Sequence, residues 1–331
     1  MRIALDAMGG DNAPGQIVRG AVLAARELGI DVALVGDEDA IRGTVPSGRV
    51  LGERITVVPA GSVIGMDEHG ATAARQKRDA SINVGLREVK EGRADAFVSA
   101  GNTGAVMAGS VFVLGRIRGV ERPALGTVFP TSGGGRVMLL DVGANAESRA
   151  SFLVQFAHMG NAYAKAVLGL ASPRIGLLSI GEEASKGNEL IQEAHAGIAA
   201  QDGLRFVGNV EGKDIPRNVA DVVVSDGFTG NVTLKVAEGV AEMILGDLRT
   251  VLTSKLRYKL AAAALRPAFR TLRSRLDYRE YGGAPLLGVD GVVIVAHGRS
   301  DARAIVSALR VARDAAVGDV VGRIRVAVQG E

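Results

Sequence analysis

Short runs of leucine and β-branched residues alternate with longer segments of helical periodicity along most of the chain. The helical spacing is clearest at Ile17, Ala21, Ala25 and Leu28, and Pro14 suits the first turn of that helix, where its missing N–H is not needed. The apolar runs predict strands at residues 2–6, 31–36, 55–58, 95–99, 136–142, 174–180, 221–225 and 291–296. This alternation is typical of a mainly parallel sheet with helices on both faces. We therefore expect an α/β fold, a three-layer α/β/α sandwich, formed by residues 1–331 as a single domain.

Six of the predicted strands end in loops of similar composition. Their sequences are DAMGGDNAP, SAGNTGA, LDVGANAES, SIGEEASKGN, SDGFTGN and AHGRS, and a helix is predicted after each one. In a parallel sheet such loops lie on the same rim, so we expect them to converge on one crevice. Glycine, short hydroxyl and amide side chains, and the unpaired N–H groups of helix N-termini together suit an anion such as phosphate.

The polar residues of these loops also have a purely structural interpretation, because Asp and Asn are common in turns and at helix N-termini. Both interpretations are open for Asp6, Asp11, Asn102, Thr103, Asn145, Asp226 and Asn231. For Asp141 we prefer the structural one. Lys186 is a cation inside a strand-end loop, and that location favours a contact with phosphate or a carbonyl oxygen. His297 is the one histidine that the sequence places in such a loop near the site.

Composition excludes several classes of chemistry. The 331 residues are 47% hydrophobic and contain no cysteine, so a thiolate metal site and a cysteine nucleophile are excluded. No nucleotide-binding glycine motif, metal-binding histidine spacing or serine nucleophile elbow occurs, so we expect no metal and no cofactor. The net charge of +3 gives no reason to expect nucleic acid. The sequence shows no signal sequence and no apolar run of membrane-spanning length, so we expect a soluble cytoplasmic protein.

The loops also carry a resemblance to a known family. LDAMGGDNAP, VSAGNTGAVMAG, LDVGAN, LVQFAHMG, SIGEEASKGNEL, VVVSDGFTGNVTLK and GGAPLLGVDGVVIVAHGRS occur in this order across residues 2–310. The combination resembles the PlsX family of phosphate acyltransferases, which serve bacterial phospholipid synthesis.

The resemblance implies a specific reaction and specific partners. A fatty acyl group passes from acyl-acyl carrier protein to inorganic phosphate, giving acyl phosphate for a downstream glycerol-3-phosphate acyltransferase, and the enzyme is a homodimer. Phosphate is already an oxyanion nucleophile, so the protein needs only to position it and to stabilise charge on the thioester oxygen. We assign Lys186 as the electrostatic stabiliser and Asn231 as the orienting donor. The expected substrate-binding residues are Asp6, Gly9, Gly10, Asp11, Asn102, Thr103, Gly104, Asn145, Asn188, Asp226, Gly227, Thr229, Gly230 and His297.

Two alternatives to this function stay open at the level of sequence. A short-chain phosphate acetyl- or butyryltransferase would share the anion-binding loops but would not need a membrane-facing helix. A noncatalytic membrane scaffold for lipid-synthesis enzymes would tolerate the loss of Lys186 and Asn231.

A basic segment near residues 247–280 is separate from the loops. Residues 249–279 contain nine basic residues and one acid. At about 100° per residue, four apolar residues lie within about 60° of one another beside three arginines; the set is Leu265, Phe269, Leu272 and Leu276, with Arg266, Arg270 and Arg273. We expect a protruding helical insertion that contacts an anionic membrane surface or the acidic carrier protein, which would associate the protein peripherally with the inner face of the cell membrane. Packing against a dimer partner explains the pattern equally well.

Overall fold

The structure is a computed structural model, and it describes residues 1–44, 51–269 and 282–329. The strands are β1 (Arg2–Asp6), β2 (Asp31–Gly36), β3 (Ile55–Pro59), β4 (Ala96–Ser99), β5 (Ala124–Pro130), β6 (Arg136–Leu140), β7 (Arg174–Leu178), β8 (Arg205–Val210), β9 (Val222–Val224), β10 (Ala284–Leu287) and β11 (Val292–Val295). The α-helices are α1 (Gly15–Leu28), α2 (Glu38–Gly43), α3 (Gly70–Gln76), α4 (Ser81–Lys90), α5 (Thr103–Val113), α6 (Ala150–Ala166), α7 (Glu189–Ala199), α8 (Gly227–Thr253), α9 (Leu256–Ala264), α10 (Ala302–Val317) and α11 (Val320–Gln329).

The strands form one sheet in the order β3-β2-β1-β4-β11-β10-β5-β6-β9-β7-β8. Strands β3, β2, β1, β4 and β11 are mutually parallel and form what we call the first block. Strands β6, β9, β7 and β8 are also mutually parallel and form the second block. Three antiparallel pairings separate the blocks, β11 with β10, β10 with β5 and β5 with β6. The two blocks therefore run in opposite directions.

This reversal corrects the expectation that all six strand-end loops share one rim. The predicted α/β fold with a mainly parallel sheet is confirmed, and every strand predicted from the sequence is present. The sequence analysis missed β5, β8 and β10, and two of these three strands carry the reversal. The strand-end loops consequently converge within each block rather than along a single edge.

The ends of the two blocks nevertheless lie near each other because the blocks are staggered. Beyond the end of β6, the N–H of Val142 donates to the carbonyl oxygen of Leu125 (2.8 Å), and Leu125 pairs with Leu286. Leu286 lies only two residues along β10 from Ala284, which pairs with Val295 at the end of β11. At about 3.4 Å per residue, Val142 and Val295 differ by about 7 Å along the strand direction.

Helices cover both faces of the sheet, which confirms the three-layer arrangement. On one face, a continuous cluster of buried side chains runs from Phe97 of β4 through Leu139 of β6 to Val223 of β9, with α3, α4 and α5 packed against it. On the opposite face, α1 and α10 cover the first block. Helices α6, α7 and α11 cover the second block on that same face.

Helices α8 and α9 extend from the sheet into the predicted basic segment. Within α8 only Gly227 and Gly230 are buried, and α9 has no buried residue. The insertion predicted at residues 247–280 thus begins inside α8 and includes α9, while residues 270–281 lie outside the described ranges. None of the described helices combines the length and the apolar character that crossing a membrane requires.

Candidate active site

The loops that end the first block are tied together by a buried carboxylate. Asp6, the last residue of β1, accepts hydrogen bonds from the Ser99 hydroxyl at the end of β4 (2.7 Å) and from the Met8 N–H (3.1 Å). Its side chain is fully buried, and burial raises its pKa. The N–H of Asp11 donates to the carbonyl oxygen of Gly298 (2.8 Å), which joins the loop after β1 to the loop after β11. These contacts hold the ends of β1, β4 and β11 in one group.

Asn102 orients the N-terminus of α5. Its Oδ1 accepts from the N–H of Ala105 (3.0 Å), and its Nδ2 donates to the carbonyl oxygens of Glu68 (2.9 Å) and Gly65 (3.1 Å). The side chain is therefore committed to capping the helix and to fixing the loop before α3. Thr103 and Gly104 follow in the first helical turn, where backbone N–H groups have no partner inside the helix.

In the second block, Asp141 is the buried acid that corresponds to Asp6 in the first block. Its carboxylate accepts from the N–H groups of Leu125, Gly143, Ala144 and Asn145 and from the Asn145 side chain, over distances of 2.9–3.1 Å. Burial raises its pKa, and the hydrogen bonds from Leu125, Ala144 and Asn145 act against that shift. The preferred structural interpretation of Asp141 agrees with this arrangement. The carboxylate fixes the loop after β6.

The N-terminus of α8 packs tightly on that loop. Asp226 caps the helix by accepting from the N–H of Thr229 (2.9 Å). A Cβ at Gly227 would lie 2.3 Å from the carbonyl oxygen of Asn145, and a Cβ at Gly230 would lie 1.9 Å from that of Asp141. Only glycine permits so close an approach of helix and loop, so the two glycines set the position of α8.

A cavity of 610 Å³ lies between α5 and α8, over the junction of β10 and β5. The first block contributes Thr103, Gly104 and His297 to its wall, and the second block contributes Gly143 and Asn231. Apolar side chains cover much of the remaining wall: Met107, Leu125, Val128, Phe129, Val142, Leu234 and Val295. The cavity therefore combines an apolar surface with the N-terminal turn of α5 and with the side of α8 from Asn231 onward.

Three polar side chains of α8 reach the cavity. Asn231, Lys235 and Glu238 all line it, and their spacing of four and three residues puts them on one face of the helix. The Lys235 ammonium lies 2.9 Å from the Glu238 carboxylate. The sequence analysis identified Asn231 and missed the other two, although their spacing from Asn231 is a signal that could have found them.

His297 faces the same cavity as a neutral imidazole. Burial lowers its pKa below the ordinary value, and the positive charge of Lys235 lowers it further. Its Nδ1 accepts from the N–H of Arg299 (3.2 Å), so the ring proton belongs on Nε2.

Apart from Lys186 and Asn188, the residues predicted for substrate binding, together with the predicted orienting donor Asn231, divide into two groups in the structure. Thr103, Gly104, Asn231 and His297 line the cavity. The others near it lie in the loops and helix ends that support the wall, namely Asp6, Gly9, Gly10, Asp11, Asn102, Asn145, Asp226, Gly227, Thr229 and Gly230. The hydrogen bonds of several of these residues serve the fold, so their contact with substrate stays a prediction.

Lys186 and Asn188 lie elsewhere, in the loop after β7. Lys186 has an exposed side chain and is not among the residues that line the cavity. Asn188 caps α7 by accepting from the N–H of Ile191 (3.1 Å). Strand β9 separates β7 from β6, which places this loop beyond the loop that supports α8.

The membrane or carrier-protein contact is described only in part. Leu265 is 53% exposed and Arg266 is exposed, whereas Phe269 is half-buried. The other predicted contact residues, Arg270, Leu272, Arg273 and Leu276, lie outside the described ranges. Among the described residues, no three His, Asp or Glu side chains are grouped as metal ligands would be.

Known proteins resemble this chain in sequence and in fold. The sequence profile of a family described as fatty acid synthesis protein matches residues 1–323. The phosphate acyltransferase of Heliobacterium modesticaldum is 52% identical over 332 residues, covering 100% of this chain and 98% of that protein. The crystal structure of a phosphotransacetylase from Streptococcus pyogenes superimposes with a TM-score of 0.66 at 16% identity, over 96% of this chain and 94% of that one. A branched-chain phosphotransacylase from Enterococcus faecalis gives a TM-score of 0.58 at 13% identity, over 95% and 98%.

Proposed function

Since this chain belongs to the fatty acid synthesis protein family, whose curated members are phosphate acyltransferases, we propose that it transfers a fatty acyl group from acyl-acyl carrier protein to inorganic phosphate. The products are acyl phosphate and the free carrier protein. The relatives share the name phosphate acyltransferase. The proposal goes further, because it specifies a carrier protein as the acyl donor and a long acyl chain.

The observation that carries the proposal is that the cavity between α5 and α8 combines apolar side chains with oriented N–H donors. Its apolar side chains, among them Met107, Leu125 and Phe129, suit an acyl chain. The first turn of α5, where Thr103 and Gly104 line the cavity, supplies the oriented N–H groups and the positive end of the helix dipole that an oxyanion requires. The acyl chain of the donor requires the apolar surface, and phosphate requires the N–H donors.

The chemistry needs no covalent intermediate on the protein. An oxygen of phosphate attacks the thioester carbonyl carbon, so that a C–O bond forms while the C–S bond breaks. The carrier protein leaves as a thiolate and takes up a proton from solvent. Negative charge builds on the carbonyl oxygen in the transition state, and fixed N–H donors in a partly desolvated site stabilise that charge.

Asn231 is the residue that we propose as the orienting donor. It is the fifth residue of α8 and lies at the cavity wall, beside Gly143. Neutral His297 lines the cavity on the opposite side of the junction. We keep Lys186 as the proposed electrostatic stabiliser, but its side chain lies outside the lining, so that role depends on the resemblance alone.

We propose that the protein is a homodimer formed through the outer face of α8. That face exposes a stripe of apolar side chains that are 45–66% exposed: Phe228, Val232, Val236, Val240 and Met243. At about 100° per residue the mean direction of the stripe lies about 110° from that of Asn231, Lys235 and Glu238. An apolar stripe of this length on one helix marks an interaction surface. Light scattering of Val236→Glu, which should yield monomers, tests the assignment.

We further propose that the basic segment attaches the protein peripherally to the anionic cytoplasmic face of the membrane, where a downstream glycerol-3-phosphate acyltransferase would take the poorly soluble product. Leu256, Leu260 and Leu265 are 75%, 66% and 53% exposed, and Arg257, Lys259 and Arg266 lie between or beside them. Apolar insertion and attraction to anionic lipid act together on such a surface. Docking of the acidic carrier protein is the alternative that the same features support.

The acyl donor can be tested by a comparison of substrates. Purified protein should form acyl phosphate from long-chain acyl-acyl carrier protein and phosphate at a higher kcat/KM than from acetyl or butyryl thioesters. A preference for the short thioesters would favour a phosphate acetyl- or butyryltransferase instead. Absence of turnover with every donor, combined with vesicle binding, would favour the scaffold.

A further inference from the structure

The cavity between α5 and α8 has a sparse charge distribution. Among the described residues that line it, Lys235 is the only lysine or arginine and Glu238 is the only acid. His297 does not add a charge near neutral pH, because burial and Lys235 both lower its pKa. An anionic substrate that enters this cavity therefore meets one positive charge, which is paired with the carboxylate of Glu238.

The position of Lys235 on α8 places that charge at the wall of the cavity. Lys235 lies one turn after Asn231, and both side chains line the cavity. Glu238, whose side chain is only 18% exposed, holds the ammonium at 2.9 Å. A lysine ammonium has three donors, so two remain for other acceptors when one bonds to Glu238. The pair reduces the rotational freedom of the lysine before any ligand arrives.

We propose that Lys235 binds the phosphate co-substrate in the cavity through its ammonium group, in addition to the N-terminus of α5. The inference rests on the proposed function, which supplies phosphate as the nucleophile. The acyl chain and thioester have no negative charge before the reaction, whereas phosphate has one to two, so Lys235 distinguishes between the two substrates in the ground state. A residue of this kind acts mainly on the KM for phosphate.

The matched control is Lys213. Its side chain is 58% exposed against 56% for Lys235, and it also pairs with a glutamate, Glu211, but it does not line the cavity. Lys235→Met and Lys213→Met therefore remove the same charge from similar exposed ion pairs. Because both sites are on the surface, circular dichroism and Tm should show that both variants fold.

Loss of a hydrogen bond to a charged group weakens binding by about tenfold to a hundredfold. Lys235→Met should raise the KM for phosphate by that factor while the KM for acyl-acyl carrier protein changes less than about twofold. Lys235→Arg, which keeps the charge, should recover most of the phosphate affinity. Lys213→Met should match the parent in both constants.

Phosphate binding without turnover separates this inference from the proposed function. Inorganic phosphate should raise the Tm of the parent and of Lys213→Met, because a ligand of the native state stabilises it by mass action. It should have a much smaller effect on Lys235→Met at the same concentration. A parent that forms no acyl phosphate but shows this difference refutes the function and leaves the phosphate site standing. An unchanged KM for phosphate and an unchanged Tm response in Lys235→Met would overturn the inference and leave the function intact.

Discussion

Replacing Gly230 with alanine tests whether the close packing of α8 on the loop after β6 sets the shape of the cavity. A Cβ at this position would lie 1.9 Å from the carbonyl oxygen of Asp141 and 3.0 Å from its carbonyl carbon. Ordinary contacts between carbon and carbonyl oxygen begin at about 3.3 Å, so helix or loop must shift by more than about 1 Å. The loop cannot give way easily because five hydrogen bonds fix the Asp141 carboxylate.

The expected cost follows from this overlap. Overpacking of a fixed site costs about 1–3 kcal/mol, so Gly230→Ala should lower the free energy of unfolding by that amount. The shift also moves Asn231, the next residue, relative to Gly143. Because a displacement of about 1 Å in a catalytic group can cost about a hundredfold in rate, turnover should fall by about tenfold to a hundredfold.

Gly43→Ala is the control for the helix propensity of alanine. Gly43 is the last residue of α2, and a Cβ there would meet no atom within 4 Å. Alanine is favoured over glycine in helices by up to about 1 kcal/mol, so this variant should be as stable as the parent or more stable, with unchanged turnover. Urea denaturation and steady-state rates measure both quantities. Equal stability and equal turnover of the two variants would refute the packing argument.

Asn231→Ala should lower turnover by about a hundredfold, which is the usual cost of removing one oxyanion donor, while circular dichroism shows that the variant still folds. Turnover equal to that of the parent would contradict the proposed role of Asn231. Lys186→Ala tests the proposed role of Lys186 in the same assay. The lowered pKa of His297 means that the unfolded state binds its proton more readily as the pH falls through the ordinary value of 6.5. The free energy of unfolding should therefore decrease from neutral pH towards acid, and His297→Gln should make the decrease smaller; identical urea midpoints across pH 5–8 would contradict this. Phe269→Glu and added salt should each weaken binding to anionic vesicles while soluble turnover is retained. Unchanged vesicle binding with a raised KM for acyl-acyl carrier protein would assign the segment to carrier docking.

The fold could be predicted from the sequence wherever strands are buried on both faces. Runs such as residues 32–35 and 222–224 are continuously apolar for this reason, and the structure contains them in β2 and β9. β10 has only four residues and contains Pro285, and β5 contains Gly126 and ends at Pro130, so neither has a strong strand pattern. Strand direction depends on pairing partners rather than on local composition, so the reversal between the blocks was not visible.

The candidate site could be predicted in part for the same reason. Loop composition located the N-termini of α5 and α8, and with them Thr103, Gly104 and Asn231. Composition could not rank Lys186 against Lys235, because both follow strands of the second block. The difference arises from sheet order: β9 lies beside β6, so α8 reaches the junction with β5, whereas the loop after β7 begins one strand farther away.

The stoichiometry of product formation tests the central claim most directly. Long-chain acyl-acyl carrier protein would be incubated with the protein at increasing phosphate concentrations, and released carrier thiol and hydroxylamine-trapped acyl phosphate would be measured in the same samples. We predict that thiol release requires phosphate, saturates with it, and equals the acyl phosphate formed. Thiol release that is independent of phosphate, or that yields free fatty acid in place of acyl phosphate, would contradict the assignment of phosphate as the nucleophile.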